Sequence, residues 1–337
     1  MIGKVRLENF GPLPLVQWEG FGKINLIIGF NGSGKTFLLK ALYTAIRTLE
    51  LYKRGKENRT AAEILADKLY WTYQSDQIGD LVKKQEKTLS FFMDFDGCSF
   101  EYSFGRDTKK QIASIENHVS PRDKENSIFL PAKEVLSIHD IILKSREDDQ
   151  AFGFDDTYLD LARALRPQPK QGRNFKGFSD SRKKLEQMIG GRIAFDLRTK
   201  AWYFTKGKQS FPLGVTAEGV KKIAILDTLL SNRHLGAKSI IFIDEPESAL
   251  HPKAISTLLE IVAILAKQGI QFFMASHSYF VIKKLHLIAK HRNISIPVFS
   301  LVDDQGEYSN LKDEMPDNPI INESIRLYQE EVDHILL

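Results

Sequence analysis

Apolar residues fall into short runs divided by polar stretches, and the spacing inside each run predicts an element. Residues 5–10 alternate as a strand does, and Gly11, Pro12 and Pro14 mark a turn before a second strand near 15–18. Residues 23–28, Lys-Ile-Asn-Leu-Ile-Ile, form the kind of run that is buried on both faces of a sheet. A glycine-rich turn follows. From Lys35 onward, apolar residues recur at Leu38, Leu39, Leu42, Ile46 and Leu49, which is helical spacing. The order is strand, glycine loop, helix.

Residues 53–87 are charged and weakly helical and predict an insertion or lobe. Strands over 89–95 and 99–104 flank Asp96-Gly97, a strong hairpin signal. Residues 106–126 are polar and predict loop. A short strand at 127–130 then runs into Pro131-Ala132-Lys133-Glu134 and a mixed helix to about residue 144. Between 145 and 180 apolar periodicity is scarce outside a helix at 158–165, so this segment is expected to be the most mobile. A hairpin at 193–197 and 201–205, then a loop through Pro212, Leu213 and Gly214, precede a helix carrying Ile223, Leu226 and Leu230. Strand 239–243, helix 253–267, strand 271–275, a helix from Tyr279 and strand 298–302 alternate as in a parallel sheet with crossover helices. There are no internal repeats and no long heptads. The expected architecture is a single α/β head over 1–337. It has a largely parallel core sheet with helices on both faces, an antiparallel β lobe, and helical or loop insertions at 50–90 and 140–190.

Composition narrows the class. The 337 residues allow two domains or one large domain with insertions, and 42% hydrophobic with 27% charged residues supports a sizeable core. The single cysteine, Cys98, excludes an internal disulfide and a tetrahedral cysteine zinc site, and a reducing compartment fits best. The N-terminus lacks the apolar core of a secretory signal. The longest apolar stretch, 255–266, is broken by Ser256, Thr257 and Glu260 well short of the roughly 20 residues that span a bilayer. A cytoplasmic protein without a membrane partner is expected. A net charge of +4 gives only a faint lean towards polyanions.

The chemistry sits at the ends of the predicted strands. Gly29-Phe30-Asn31-Gly32-Ser33-Gly34-Lys35-Thr36 matches G-x-x-x-x-G-K-[ST] between a buried strand and a helix. In such a loop, main-chain N–H groups of Asn31, Gly32, Ser33 and Gly34 surround phosphate oxygens. Lys35 reaches the β and γ phosphates, and the Thr36 hydroxyl can bind Mg²⁺. At the end of strand 239–243, Asp244 would hold the metal and Glu245 would polarise the attacking water. Strand 271–275 leads to His277, at the edge where open parallel sheets bind ligands, within reach of a γ-phosphate. Each segment alone has a plainer reading: a glycine turn with an adjacent lysine, an acidic turn, a polar strand cap. Their joint occurrence in this order favours the nucleotide reading. Asp303-Asp304 precedes Gln305-Gly306 and reads as a hairpin turn, not a metal site.

Together GFNGSGKT, FIDEPESALHP and MASHS resemble the ATP-binding cassette ATPases of the SMC, RecF and OLD branch over nearly the whole chain. The resemblance implies a P-loop NTPase of ABC-ATPase type with ATP and Mg²⁺ as cofactors. It also implies a composite site in which two heads sandwich two ATPs. A signature segment must then complete the partner's site, and 215–222, VTAEGVKK, is the best match. Ala217 stands where the family usually has serine. Gly219 and the helix amides would bind the opposing phosphate in trans, with Lys221 or Lys222 adding charge; the plainer reading is an ordinary helix N-cap at Thr216. Residues 247–252 resemble the family's D-loop, although His251-Pro252 also reads as a helix start. The family's glutamine lever is unassigned: Gln74, Gln77, Gln85 and the 131–134 segment are the candidates.

With no long heptad arm and no Cys-x-x-Cys hook, the chain is expected to be a compact head. Some 35 residues after Val302 are too few for the nuclease domain of OLD proteins. The expected activity is ATP hydrolysis by a homodimer that ATP closes. Its output would be a DNA transaction, as in repair, or control of a separately encoded nuclease or toxin, as in anti-phage defence. Two alternatives stand beside it: the ATP-binding subunit of a membrane transporter, and a nucleotide-binding scaffold with negligible turnover. Basic clusters at Lys109-Lys110, Arg182-Lys183-Lys184 and Lys221-Lys222 are candidates for phosphate-backbone contact.

Overall fold

In the computed structural model, the chain opens on two antiparallel strands, β1 (Ile2–Glu8) and β2 (Val16–Glu19), and then enters the central sheet through β3 (Ile24–Gly29). The described residues are 1–113, 115–122, 126–167, 176–196, 198–199, 201–302 and 305–336. After β3 come α1 (Lys35–Leu51) and α2 (Ala61–Tyr73), then β4 (Thr88–Phe95), β5 (Cys98–Gly105), β6 (Ile115–Asn117) and β7 (Ile128–Leu130). A short helix α3 (His139–Leu143), a π-helical turn at Lys144–Asp148, α4 (Asp156–Leu165) and α5 (Lys176–Ile189) lead to a meander of β8 (Arg192–Asp196), β9 (Ala201–Lys206) and β10 (Gln209–Pro212). The rest alternates: α6 (Glu218–Ser231), β11 (Ile240–Asp244), α7 (Pro252–Lys267), β12 (Gln271–Ser276), α8 (Tyr279–Arg292), β13 (Pro297–Val302), β14 (Gln305–Asn310) and α9 (Pro319–Leu336).

The central sheet has the order β14-β13-β3-β12-β11-β7, parallel throughout except for the edge strand β14. Its parallel strands are buried on both faces, which is why most of them read as continuous apolar runs. Alternate residues go to opposite layers. Ile24, Leu26, Ile28, Ile241, Ile243, Phe272 and Met274 face a core shared with α4 to α8, whereas Ile27, Ile240, Phe242, Phe273 and Ala275 face α1. One buried polar residue among them, Asn25, is satisfied: its amide nitrogen donates to the carbonyls of Gly22 and Phe272, each at 3.0 Å.

The second sheet, β2-β1-β4-β5-β6, is antiparallel and covers the far side of α1. Its hairpin turns at Asp96 and Gly97, both with positive φ (52° and 80°), the backbone that a two-residue turn between right-twisted strands requires. The third sheet, β10-β9-β8, is also antiparallel. The expected mostly parallel α/β fold with an antiparallel lobe is therefore present. Four elements were not expected: β6, α5, β10 and α9. Asp303 and Asp304 lie outside the described residues, as do 168–175 within the segment expected to be mobile; on either side of 303–304, Val302 pairs with Gln305. Among the described residues, no helix is long and apolar enough to cross a membrane.

Candidate nucleotide site

Because β3, β12, β11 and β7 are parallel, their carboxyl ends share one edge of the sheet. Ala275 of β12 pairs with Ile27 on one side and with Asp244 on the other, so one strand separates the glycine loop from the acidic pair. α1 begins directly after the loop, and its N-cap, Gly34, has φ 94° and no capping side chain. The amides of its first turn therefore lack both intrahelical acceptors and a cap. At Gly34 a Cβ would lie 2.9 Å from Leu13, besides requiring the left-handed backbone; Gly32 (φ 82°) faces open space. Ser33 Oγ is buried without a partner. Lys35 is buried, and its Nζ donates to the carbonyls of Gly29 (2.9 Å) and Phe30 (2.6 Å). Burial lowers the Lys35 pKa, and Asp244, Glu245 and Glu247 act against that.

Thr36 Oγ1 donates to Asp244 at 3.0 and 2.9 Å from its two carboxylate oxygens. Burial raises the Asp244 pKa and the neighbouring Glu245 charge adds to this, while the Thr36 bond opposes it. Glu245 follows in a left-handed conformation, φ 47°, with its N–H donating to Ala275 O at 2.9 Å. Its carboxylate lies 3.6 Å from His277 Nδ1. The strand ends are braced by Glu247, whose Oε1 accepts from Ser276 Oγ (2.8 Å) and from the His277 amide (3.3 Å); its Oε2 is buried without a partner. The loop residues, Lys35, Thr36, Asp244, Glu245 and His277 are thus brought to one site. A hydroxyl and a carboxylate side by side, an orphaned serine hydroxyl and a glycine cradle around a buried amine fit a magnesium-bound triphosphate.

The signature segment sits at the rim. The cap at Thr216 that the plainer reading offered is not formed: the N-cap of α6 is Ala217, with no side-chain bond, and Thr216 Oγ1 is buried without a partner. Gly219 packs against the 247–250 turn, where a Cβ would come within 2.6 Å of Ala249 O. Lys221 and Lys222 do not extend outward to add charge to an opposing phosphate. Lys221 Nζ donates to Ser137 Oγ (2.7 Å), and Lys222 Nζ to Glu245 O (2.6 Å) and Ala132 O (3.3 Å). His251 does cap α7, its Nδ1 accepting from the Lys253 amide at 3.2 Å ahead of Pro252 at the first helical position.

Of the candidates for the glutamine lever, the 131–134 segment follows β7 at this same edge and meets Lys222 through Ala132. Gln74 caps α2 and accepts from Gly153 N at 3.2 Å, whereas Gln77 bonds Asp80. Sequence reasoning also missed the neighbourhood of α4. Lys40, one turn past Thr36, pairs with Asp155 at 2.7 Å, and burial with the charges of Asp155 and Asp244 pushes Tyr158 up to about 12. Glu247 could have been found from the acidic spacing of DEPE; nothing in the sequence separates Lys222 from an ordinary solvated lysine.

A family model described as "AAA domain, putative AbiEii toxin, Type IV TA system" matches residues 24–283. The chain belongs to this family. The AAA domain is 23% identical over 364 residues to a Helicobacter pylori protein named ATP/GTP phosphatase, covering 88% of this chain and 90% of that one. Among solved structures it is similar to an Smc head bound to the C-winged helix domain of ScpA. That match has 15% identity and a TM-score of 0.52, and it covers 92% of this chain and 97% of the other. It is also similar to an Smc head with an extended coiled coil, bound to the C-terminal domain of ScpA from Pyrococcus furiosus. There the identity is 13% and the TM-score 0.51, and 98% of each chain is covered. The AAA domain is thus a P-loop ATPase with the fold of Smc heads, in keeping with the expected resemblance.

Proposed function

We propose that this ATPase binds Mg-ATP between the 29–36 loop and the acidic pair Asp244–Glu245, closes on it as a homodimer, and reopens on hydrolysis. The observation that supports this best is the convergence of Lys35, Thr36, Asp244, Glu245 and His277 at one strand-end edge. The loop amides and Lys35 would bind and orient the phosphates. Thr36 and Asp244 would hold Mg²⁺, which when bound neutralises charge on the β and γ oxygens. Glu245 would take a proton from the attacking water, and His277, 3.6 Å from it, would hold the γ-phosphate in line. The name of the H. pylori relative agrees with phosphate release.

Closure as a dimer draws support from the rim, where Phe30, Val215, Tyr279 and Phe280 are exposed apolar side chains and Val215 is 76% exposed. In the closed dimer Gly219 of each protomer would complete the other's site. The cycle would gate a separately encoded effector, a nuclease or toxin, or act on DNA. The Smc heads it resembles are bound to ScpA domains, a precedent for a head that works through a protein partner. A Glu245→Gln variant is expected to lose turnover by at least about 100-fold, the scale of general-base catalysis, and to form a longer-lived dimer with ATP in light scattering. Unchanged phosphate release would remove Glu245 from this role.

A further inference from the structure

Lys222 lies one turn inside α6, the helix whose start carries Gly219, and its amine reaches two other elements at once. Nζ donates to the carbonyl of Glu245 at 2.6 Å and to that of Ala132, in the loop after β7, at 3.3 Å. Neighbouring Lys221 turns to Ser137 and stands 3.8 Å from Glu134, so of these two lysines Lys222 serves the acidic turn. Glu245 needs such a hold. A non-glycine residue at φ 47° occupies a sparsely populated backbone region and persists only where its surroundings over-determine it. Its amide is fixed by Ala275 O at 2.9 Å, and its carbonyl by Lys222. The two bonds lie on either side of the Glu245 Cα and so set the direction in which its carboxylate leaves the chain. The amine is partly buried, and desolvation brings its pKa down to about 8 against the pull of Glu247, Glu245 and Asp244.

We propose that Lys222 is a positioning residue for hydrolysis, fixing the left-handed main chain of Glu245 and so tying the aim of that carboxylate to the placement of α6. The proposal rests on Glu245 acting on the attacking water. It gives α6 a direct mechanical line to the cis site: a displacement of the helix start, where the second protomer is expected to engage, is carried one turn along to the carbonyl of Glu245.

The test compares ATP turnover and ATP affinity in Lys222→Met, Lys222→Arg, Glu245→Gln and the Lys222→Met/Glu245→Gln double variant. Lys222→Met is expected to lower kcat about 10–100-fold, as loss of an orienting partner commonly does, with KM and the calorimetric ATP affinity unchanged; that affinity reports that the protein is folded. Lys222→Arg should recover most of the rate. The double variant should be no slower than Glu245→Gln alone, because a residue that acts through Glu245 has nothing left to orient. A wild-type kcat in Lys222→Met, or the same fold loss in the Glu245→Gln background, overturns the proposal. Wild-type turnover in Glu245→Gln itself would sink the general-base reading on which it stands, a result separable from the first because it is read in a different variant.

Discussion

Thr36 and Asp244, 208 residues apart in the chain, meet with the threonine hydroxyl 3.0 and 2.9 Å from the two carboxylate oxygens. The contact closes the gap between the first turn of α1 and the end of β11, across the intervening end of β12. It leaves Asp244 under electrostatic tension: burial and the Glu245 charge both work against its ionised form, and one hydroxyl is the opposing hydrogen bond. A site that keeps a carboxylate under such tension is pre-set for a cation.

Asp244→Asn is therefore expected to separate stability from activity. An acid whose pKa is raised by folding costs stability once the pH rises above its unfolded value, so removing the charge should leave the melting temperature of the ligand-free protein unchanged or higher. Magnesium-dependent turnover should fall by about 100-fold or more, the scale set by loss of a preorganised electrostatic group. A variant that melts earlier yet hydrolyses ATP normally would contradict both halves of the argument.

Most of this site can be read from the chain because each part obeys a local rule. Residues 24–28 are apolar apart from Asn25 because β3 is buried on both faces, and the glycines of 29–34 are required where the main chain turns into α1. What is hidden depends on partners brought from afar. α5 buries Phe178, Leu185 and Ile189 on one narrow stripe, too few apolar positions among its charges to stand out. β10 has all four residues exposed and so carries no alternation. α9 did carry a start signal, Asn318 accepting from the Ile320 amide at 3.1 Å ahead of Pro319 at the first helical position, yet its apolar residues Ile325, Leu327 and Tyr328 are exposed and do not announce a core. Lys222 reads as half of a charge pair until the turn after β11 is folded against α6.

Lys68 is the centre of a buried charge network that joins α1, α2 and α4. Its amine donates to Asp156 at 2.8 Å and to Asp160 at 3.0 Å; Arg146 also meets Asp156 (2.8 Å), and Arg47 meets Asp160 (3.3 Å) and Glu50 (2.6 Å). Removing one partner from such a group leaves largely buried charges unpaired. Lys68→Met should therefore cost about 3–5 kcal/mol in urea denaturation, far above the roughly 0.2–1 kcal/mol of an exposed pair. A loss inside the lower range would mean that the network reorganises around the gap.

His234, beside the same network, sets a pH dependence of its own. Burial lowers its pKa to about 4, and the nearby charges of Arg47 and Arg54 push the same way. Its ordinary value is near 6.5, so between roughly pH 6.5 and 4 the unfolded chain takes up a proton there that the folded protein refuses. Stability must then fall as the pH drops through this window, by up to about 1.4 kcal/mol per unit from this group, and the loss levels off below pH 4. Its Nε2 is buried without a partner, so an aromatic ring in its place gives up no hydrogen bond at that atom. His234→Phe should accordingly lose about 2 kcal/mol less than the wild type between pH 7 and 4.5 in chemical denaturation, since other groups titrate equally in both proteins. Parallel pH curves for the two would place the His234 ring in contact with water and remove it from the acid sensitivity of the fold.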